Sequence, residues 1–133
     1  MGDDCRNGGG WILVVEDDED VRQALVDALG FAGYPVRSAE HGEAALDCIL
    51  DHGLPAAALV DLLMPRMGGA EFLRVLRRSD EGRAVPVVLL TGRTETDDLP
   101  PCFERLLKPF DLDVLLEVVE RAVAAGAGCP RLS

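Results

Sequence analysis

Short apolar runs rich in branched residues alternate along this chain with segments that carry a helical stripe. The first run, Trp11–Val15, is apolar at every position, which is typical of a strand covered on both faces. Apolar residues then recur at positions 21, 24, 25, 28, 29 and 32, the spacing of a helix that packs one face. A strand buried on both faces needs helices above and below its sheet, so this alternation restricts the fold to the α/β class.

The same unit repeats towards the end of the chain. We predict further strands over 35–39, 56–60, 85–90 and 105–107, and further helices over 42–51, 68–78 and from 111 onward. In the helix over 42–51, the residues expected to face the core are Ala45, Leu46, Ile49 and Leu50. Five strands in alternation with helices predict a parallel sheet whose right-handed crossovers cover both faces.

Length and composition fit one globular domain. The chain has 133 residues, of which 48% are hydrophobic and 28% charged, a balance typical of a folded chain. We expect a disordered leader over 1–10, the domain over 11–125 and a flexible tail over 126–133. The longest apolar run, Leu54–Val60, is far shorter than the roughly 20 residues of a membrane helix. Met1–Gly10 also lacks the apolar stretch of a signal peptide, so we expect a cytoplasmic protein without membrane association.

The charge balance argues against one class of partner. Thirteen basic residues stand against 24 acidic ones, which gives a net charge of −11, whereas nucleic-acid binding draws on clustered Lys and Arg. We therefore expect no direct DNA binding. Cysteines stand far apart at positions 5, 48, 102 and 129, so a zinc site is disfavoured and free thiols of a reducing compartment are expected.

Polar side chains follow the predicted strands at the points where the strands end. Glu16 and Asp17 come directly after the first strand, Asp61 after the third and Thr91 after the fourth. Lys108, the only lysine of the chain, precedes the last helix. Because ligands of parallel sheets lie beyond the carboxyl ends of the strands, we expect these five side chains to converge.

This set of side chains suits phosphoryl chemistry. Three carboxylates repel one another by roughly 4 kcal/mol per pair at 4 Å and an effective dielectric constant near 20, so they favour a bound cation. Ligands that are all oxygen favour Mg²⁺, with Mn²⁺ as an alternative, over zinc. Asp61 is then a candidate nucleophile, with Thr91 and Lys108 binding phosphoryl oxygens. Each residue alone also fits an ordinary turn or helix start, and only their joint placement indicates the site.

Four motifs together resemble one known family over about residues 11–125. They are Val-Val-Glu16-Asp17, Leu-Val-Asp61-Leu-Leu-Met-Pro65-x-Met-Gly68-Gly69, Leu-Leu-Thr91-Gly and Leu-Lys108-Pro109-Phe110. In this combination the chain resembles the receiver domain of two-component response regulators. The resemblance implies a doubly wound (βα)₅, flavodoxin-like fold with a five-stranded parallel sheet in the order 2-1-3-4-5.

The resemblance also implies a metal site and a phosphoryl donor. By position, Asp17 and Asp61 are similar to the family's direct Mg²⁺ ligands, the backbone carbonyl of Leu63 to a third ligand, and Glu16 to a ligand that acts mainly through water. Asp61 is similar to the family's phospho-acceptor, which takes its phosphoryl group from a histidine kinase or a histidine phosphotransfer protein. Such a domain catalyses only its own phosphorylation and dephosphorylation.

Thr91 and Lys108 match the family's hydroxyl and lysine, and the resemblance implies a cis peptide bond between Lys108 and Pro109. Pro65 and the pair 68–69 are implied to shape the turn next to the acceptor.

Two departures from the family pattern affect how a signal leaves the domain. The segment between Thr91 and Lys108 is shorter than usual and contains Asp97-Asp98-Leu-Pro100-Pro101, which does not continue a helix. We therefore expect the family's fourth helix, between the fourth and fifth strands, to be short or absent. Arg105 stands where the family has an aromatic switch residue that works with the hydroxyl residue, here Thr91. We expect its guanidinium to face outward or to pair with an acid.

The favoured function is a stand-alone phospho-acceptor module that signals by binding an unidentified downstream protein, because only eight residues follow Ala125. A homodimer is compatible with this interpretation. The alternatives are a receiver-like interaction scaffold that works without phosphorylation, and an aspartyl-phosphate phosphatase of the haloacid dehalogenase type. Enzymes of that class resemble one another in an Asp-x-Asp motif after the strand. This chain has Asp61-Leu-Leu63 there, so Leu63 argues against the phosphatase.

Overall fold

A five-stranded parallel sheet, with strands in the order β2-β1-β3-β4-β5, forms the centre of the molecule. The computed structural model describes residues 10–62, 67–92 and 102–127. The strands are β1 (Ile12–Val15), β2 (Val36–Ala39), β3 (Ala57–Asp61), β4 (Val87–Thr91) and β5 (Glu104–Leu107). The helices are α1 (Glu19–Phe31), α2 (Gly42–His52), α3 (Gly69–Leu76), α4 (Asp80–Arg83) and α5 (Leu112–Ala127). This confirms the doubly wound, flavodoxin-like fold and the strand order that were predicted.

The strand register brings the carboxyl ends of the strands to one edge. Val15 at the end of β1 is paired with Val60, one residue before the end of β3. Asp61 is paired with Leu90, one residue before the end of β4, and Thr91 is paired with Leu107 at the end of β5. The residues that follow these strands are therefore close in space although they are far apart in sequence.

Two apolar layers hold the sheet in place. One layer joins alternate strand residues such as Leu13 and Val60 to Phe72 and Leu73 of α3. The other joins the opposite strand face to α1 and α5, with Leu25, Leu29, Leu115 and Val119 fully buried or nearly so. All residues of β1, β3 and β4 are buried, as the continuous apolar runs predicted. Burial of each large apolar side chain stabilises the fold by about 1.5–3 kcal/mol, so the sheet is held rigidly between the two layers.

A capped helix start keeps the loop after β1 short. The side chain of Asp18 accepts hydrogen bonds from the backbone N–H groups of Asp20, at 2.9 Å, and Val21, at 3.2 Å. These bonds satisfy N–H groups that have no partner inside the helix, so α1 begins at Glu19. Only residues 16–18 lie between β1 and α1, which leaves the first two acidic residues at the strand end.

One core residue predicted for α2 lies at the surface. In α2, Ala45 is buried, and Leu46 and Ile49 are partly buried against the core, but Leu50 is 82% exposed. Since each residue turns an α-helix by about 100°, Leu50 lies about 140° around the axis from Ala45 and outside the buried face.

Some predictions concern residues outside the described ranges. The shortened or absent helix between β4 and β5 would fall on residues 93–101, which the structure does not describe. The same holds for residues 1–9 of the expected leader and 128–133 of the expected tail, while α5 continues to Ala127, two residues beyond the predicted domain end. Cys48 and Cys102 are free thiols. None of the helices in the described ranges has the length and apolar character needed to cross a bilayer.

A short helix, α4, was not predicted from the sequence. It begins where the Ser79 hydroxyl accepts a hydrogen bond from Gly82 N–H at 2.9 Å. The Arg77 guanidinium closes the corner between α3 and β4 by donating to the backbone oxygens of Gly82, at 2.6 Å, and Val85, at 2.8 Å. A Cβ atom at Gly82 would overlap the backbone oxygen of Leu76, so this corner requires glycine.

Replacement of this glycine should therefore destabilise the fold. We expect Gly82→Ala to lower the free energy of unfolding by about 1–3 kcal/mol, the usual effect of overpacking. Gly30→Ala is the matched control, because no atom lies within 4 Å of a Cβ at Gly30 in α1, and it should stabilise by up to about 1 kcal/mol. Urea unfolding of both variants measures the difference. Equal stabilities would contradict the close packing at Gly82.

Candidate functional site

Buried polar groups gather at the carboxyl edge of the sheet. Within the described ranges, the buried polar or charged side chains are Glu16, Asp61 and Thr91, which are 1%, 6% and 2% exposed. All three follow or end strands at this edge. Burial of a polar group is unfavourable unless it is paired, so a fold that concentrates these groups here indicates a functional site.

Three carboxylates meet at this edge, as the sequence predicted. One oxygen from each of Glu16, Asp17 and Asp61 lies within 4.8 Å of the others. Glu16 and Asp61 are buried, whereas Asp17 is exposed. The cluster therefore has an inner, protected side and an outer side that solvent reaches.

Lys108 binds the two inner carboxylates. Its Nζ atom lies 3.2 Å from Oε1 of Glu16 and 3.4 Å from Oδ1 of Asp61. The backbone N–H of Lys108 donates to the backbone oxygen of Thr91 at 2.8 Å, which continues the pairing of β4 and β5 and fixes the start of the lysine side chain. The Lys108–Pro109 peptide bond is cis, as expected.

The backbone of Glu16 is anchored on both sides. Its N–H donates to the backbone oxygen of Ala39 at 3.0 Å, and its backbone oxygen accepts from Nη1 of Arg22 at 2.9 Å. Oε2 of its side chain accepts from the N–H of Asp18 at 3.2 Å. Sequence reasoning missed Arg22, because an arginine on a charged helix is ordinarily a solvent-exposed residue and no local pattern marks its contact.

Burial and neighbouring charges shift the pKa values of Glu16 and Lys108. Burial raises the pKa of the Glu16 carboxyl, and the nearby Asp61 charge adds to the rise, while the Asp18 N–H and Lys108 oppose it. Burial acts to lower the pKa of Lys108, but the charges of Asp61 and Glu16 outweigh it, so that pKa is raised above its usual value. Lys108 is therefore held as an ammonium ion beside Asp61.

The start of α3 packs directly against the backbone of Asp61. A Cβ atom at Gly69 would lie 2.6 Å from the backbone oxygen of Asp61 and 2.9 Å from Cα of Leu62. The N–H of Gly69 also donates to the backbone oxygen of Leu62 at 2.9 Å. Only glycine permits this approach. Leu63 and Pro65, which the resemblance implied as a ligand and a turn residue, lie outside the described residues.

Arg105 faces away from the core. It is exposed on β5, next to Leu106, which is buried against the α1 and α5 layer. The outward position was one of the two predicted for it. The acidic residues weighed as partners, at positions 95, 97 and 98, lie outside the described residues.

An apolar groove of about 540 Å³ adjoins the site. It lies between α1 and the turn that leads from Lys108 into α5, and Asp20 and Lys108 also contribute to its walls. Its apolar lining consists of Val21, Ala24, Leu25, Pro109, Phe110 and Leu112. The sequence predicted none of this surface, since its two walls come from opposite ends of the chain.

The donor set fits a hard divalent cation. Every side-chain ligand in the cluster is a carboxylate oxygen, which Mg²⁺ prefers. Three carboxylates against one ammonium leave an excess of negative charge, which a cation would compensate. Exposure of Asp17 leaves room for the water molecules that Mg²⁺ keeps.

Comparison with known proteins identifies the family. The family model described as the response regulator receiver domain matches residues 12–120. Response regulator MprA of Mycobacterium sp. (strain KMS) is 39% identical over 110 residues, which cover 79% of this chain and 46% of that protein. Regulatory protein AtoC of Escherichia coli (strain K12) is 36% identical over 117 residues, 84% of this chain and 25% of that protein. The chain thus spans less than half the length of these curated relatives.

Solved structures of response regulators and receiver domains share this fold. The response regulator TrrA from Thermotoga maritima, in complex with Mg(2+)-BeF, is 30% identical with a TM-score of 0.75, covering 85% of this chain and 98% of that one. The signal receiver domain of a signal transduction histidine kinase from Syntrophus aciditrophicus is 29% identical with a TM-score of 0.79, covering 87% of this chain and 91% of that one. The match to the family model, the relatives and the shared fold together show that the chain belongs to the receiver domain family of two-component response regulators.

Proposed function

We propose that this chain is a cytoplasmic phospho-acceptor module of a two-component phosphorelay. Asp61 takes a phosphoryl group from a histidine kinase or a histidine phosphotransfer protein. The observation that supports this best is the buried Asp61 carboxylate with the Lys108 ammonium 3.4 Å away and two further carboxylates beside it. An ion pair that only stabilised the fold would need one carboxylate beside Lys108, whereas three carboxylates are gathered here.

The side chains of the site match the needs of phosphoryl transfer. An Asp61 oxygen attacks the phosphorus of the donor phosphohistidine; the new O–P bond forms as the N–P bond breaks, and the imidazole nitrogen keeps the bonding pair. The Lys108 ammonium neutralises negative charge on the phosphoryl group, and the Thr91 hydroxyl at the end of the neighbouring strand donates to a phosphoryl oxygen. Water later hydrolyses the acyl phosphate and returns Asp61 to its free form.

The metal of the proposal is Mg²⁺, with Mn²⁺ as an alternative. Asp17 and Asp61 would hold it directly, Glu16 would act mainly through water, and the backbone carbonyl of Leu63 is the proposed third ligand. When bound, the ion neutralises charge that develops on the phosphoryl oxygens. The side chains that would hold it lie together in the carboxylate cluster.

We propose that the phosphoryl donor docks on the groove beside the site. A donor histidine must reach Asp61, so the donor protein must cover the edge of the sheet where Lys108 lies. The groove shares Lys108 with the site and presents apolar residues such as Val21 and Phe110. An apolar surface next to the acceptor suits the apolar face of a donor helix.

A scaffold that works without phosphorylation is the second candidate. The exposed Arg105 favours it, because the family places an aromatic switch residue at this position. The downstream partner in either case is an unidentified protein, and a homodimer is compatible with both. The net charge of −11 supports an output through protein contacts and not through direct DNA binding.

Chemical phosphorylation distinguishes the two candidates. Acetyl phosphate with Mg²⁺ should add one phosphoryl group to the chain, because Asp61 is a carboxylate held beside an ammonium. The adduct should be labile to hydroxylamine, as an acyl phosphate is. Asp61→Asn should abolish the addition, whereas Asp47→Asn, which changes an exposed acid of α2, should leave it intact. Intact mass measures the result, and an unmodified wild-type chain would favour the scaffold.

Mg²⁺ should stabilise the fold by binding the carboxylate cluster. At a concentration ten times Kd the gain is about 1.4 kcal/mol, or about 5 °C in Tm for a domain of this size. Asp17→Asn should raise the Tm without metal, because it removes one repulsive charge, and should reduce the Mg²⁺ effect. Asp47→Asn should retain the full effect. Thermal melts with and without Mg²⁺ test this. A Tm that does not change with up to tens of millimolar Mg²⁺ would contradict the metal site.

A further inference from the structure

The first turn of α2 contacts the chain that leads into α3. The N–H of Gly42 donates to the backbone oxygen of Met67 at 3.0 Å. Gly42 is the first residue of α2, so its N–H has no acceptor within the helix and is available for this tertiary bond. The turn itself is anchored, because Nδ1 of His41 accepts from Ala44 N–H at 3.1 Å.

The contact leaves no space for a side chain at position 42. A Cβ atom at Gly42 would lie 2.6 Å from Cγ of Met67, 2.8 Å from its Cβ and 2.8 Å from its backbone oxygen. Gly42 is buried, and Met67 packs against the same apolar layer as Ala45 of α2. Any side chain at position 42 therefore has to displace Met67.

Met67 is two residues from Gly69, which makes the second close contact. A Cβ at Gly69 would lie 2.6 Å from the backbone oxygen of Asp61. The segment 67–69 thus touches α2 at one end and the backbone of the acceptor at the other. Packed protein interiors transmit small displacements, because they hold little free space to absorb them.

We propose that Gly42 is a positioning residue for Asp61: through Met67 and Gly69, the start of α2 fixes the backbone of the acceptor. The inference rests on the proposed function, in which Asp61 is phosphorylated. A displacement of Asp61 would misalign its carboxylate with Lys108 and with the incoming phosphoryl group. Misplacement of a reacting group by about 1 Å lowers rates by up to about a hundredfold.

The test is the rate of phosphorylation of Gly42→Ala by acetyl phosphate and Mg²⁺. We expect a rate about tenfold or more below the wild type. Gly82→Ala is the control, because it also inserts a Cβ into a close backbone contact but lies in the corner between α3 and β4. Its rate should stay within about twofold of the wild type under conditions where both variants are folded, and an equal loss in both variants would overturn the proposal.

A second comparison isolates position 42. In Met67→Ala the closest overlap, at Cγ, is removed, so Gly42→Ala combined with Met67→Ala should recover part of the rate lost by Gly42→Ala. If Gly42→Ala alone does not fold, the double variant is compared with Met67→Ala. The double variant should be slower, because the overlaps at Cβ and the backbone oxygen remain. Equal rates would overturn the proposal.

Backbone amide chemical shifts separate the failure of this inference from the failure of the proposed function. Gly42→Ala, or the double variant, should shift the amides of Asp61, Leu62 and Gly69, whereas Gly82→Ala should not. A wild-type chain that takes no phosphoryl group would refute the proposed function even if these amides shift. A phosphorylated wild type with unshifted amides in the variants would refute the positioning residue alone.

Discussion

Electrostatic repulsion among the carboxylates of Glu16, Asp17 and Asp61 is the constraint on which the functional edge of this domain depends. One oxygen of each carboxylate lies within 4.8 Å of the others, and the repulsion is strongest between the buried Glu16 and Asp61, because solvent screens the exposed Asp17. Burial of the sheet and its two apolar layers offsets this cost, and the Lys108 ammonium relieves part of it through its contacts with the two inner carboxylates. The negative charge that remains favours the binding of a cation.

The backbone, more than the side chains, determines how the carboxylates meet. Parallel pairing places Asp61 beside Leu90 and the end of β1 beside Val60. The capped start of α1 leaves only residues 16–18 for the loop after β1. Because these features are hydrogen-bonded backbone geometry, the position of the cluster does not depend on the flexibility of long side chains. Lys108 is the exception, and its long side chain reaches into the site from the end of β5.

Much of this arrangement could be predicted from the sequence, because the information is local. A buried apolar run that ends in a polar residue marks a strand and its carboxyl end, as for Asp61 and Thr91. Contacts between distant segments leave no such mark. Gly42 and Met67 are 25 positions apart, and neither residue type alone indicates that they touch. The misassigned Leu50 shows a related limit, since an apolar residue near the edge of a helical stripe is placed by the packing of neighbouring elements.

The lysine of the site is also the only lysine of the chain. Its side chain is 31% exposed, so it is partly accessible to reagents that modify amines. Acetylation would convert the ammonium beside Asp61 into a neutral amide and leave the carboxylates without their internal counter-charge. Modification of this one amine would therefore change the charge balance of the whole carboxylate cluster.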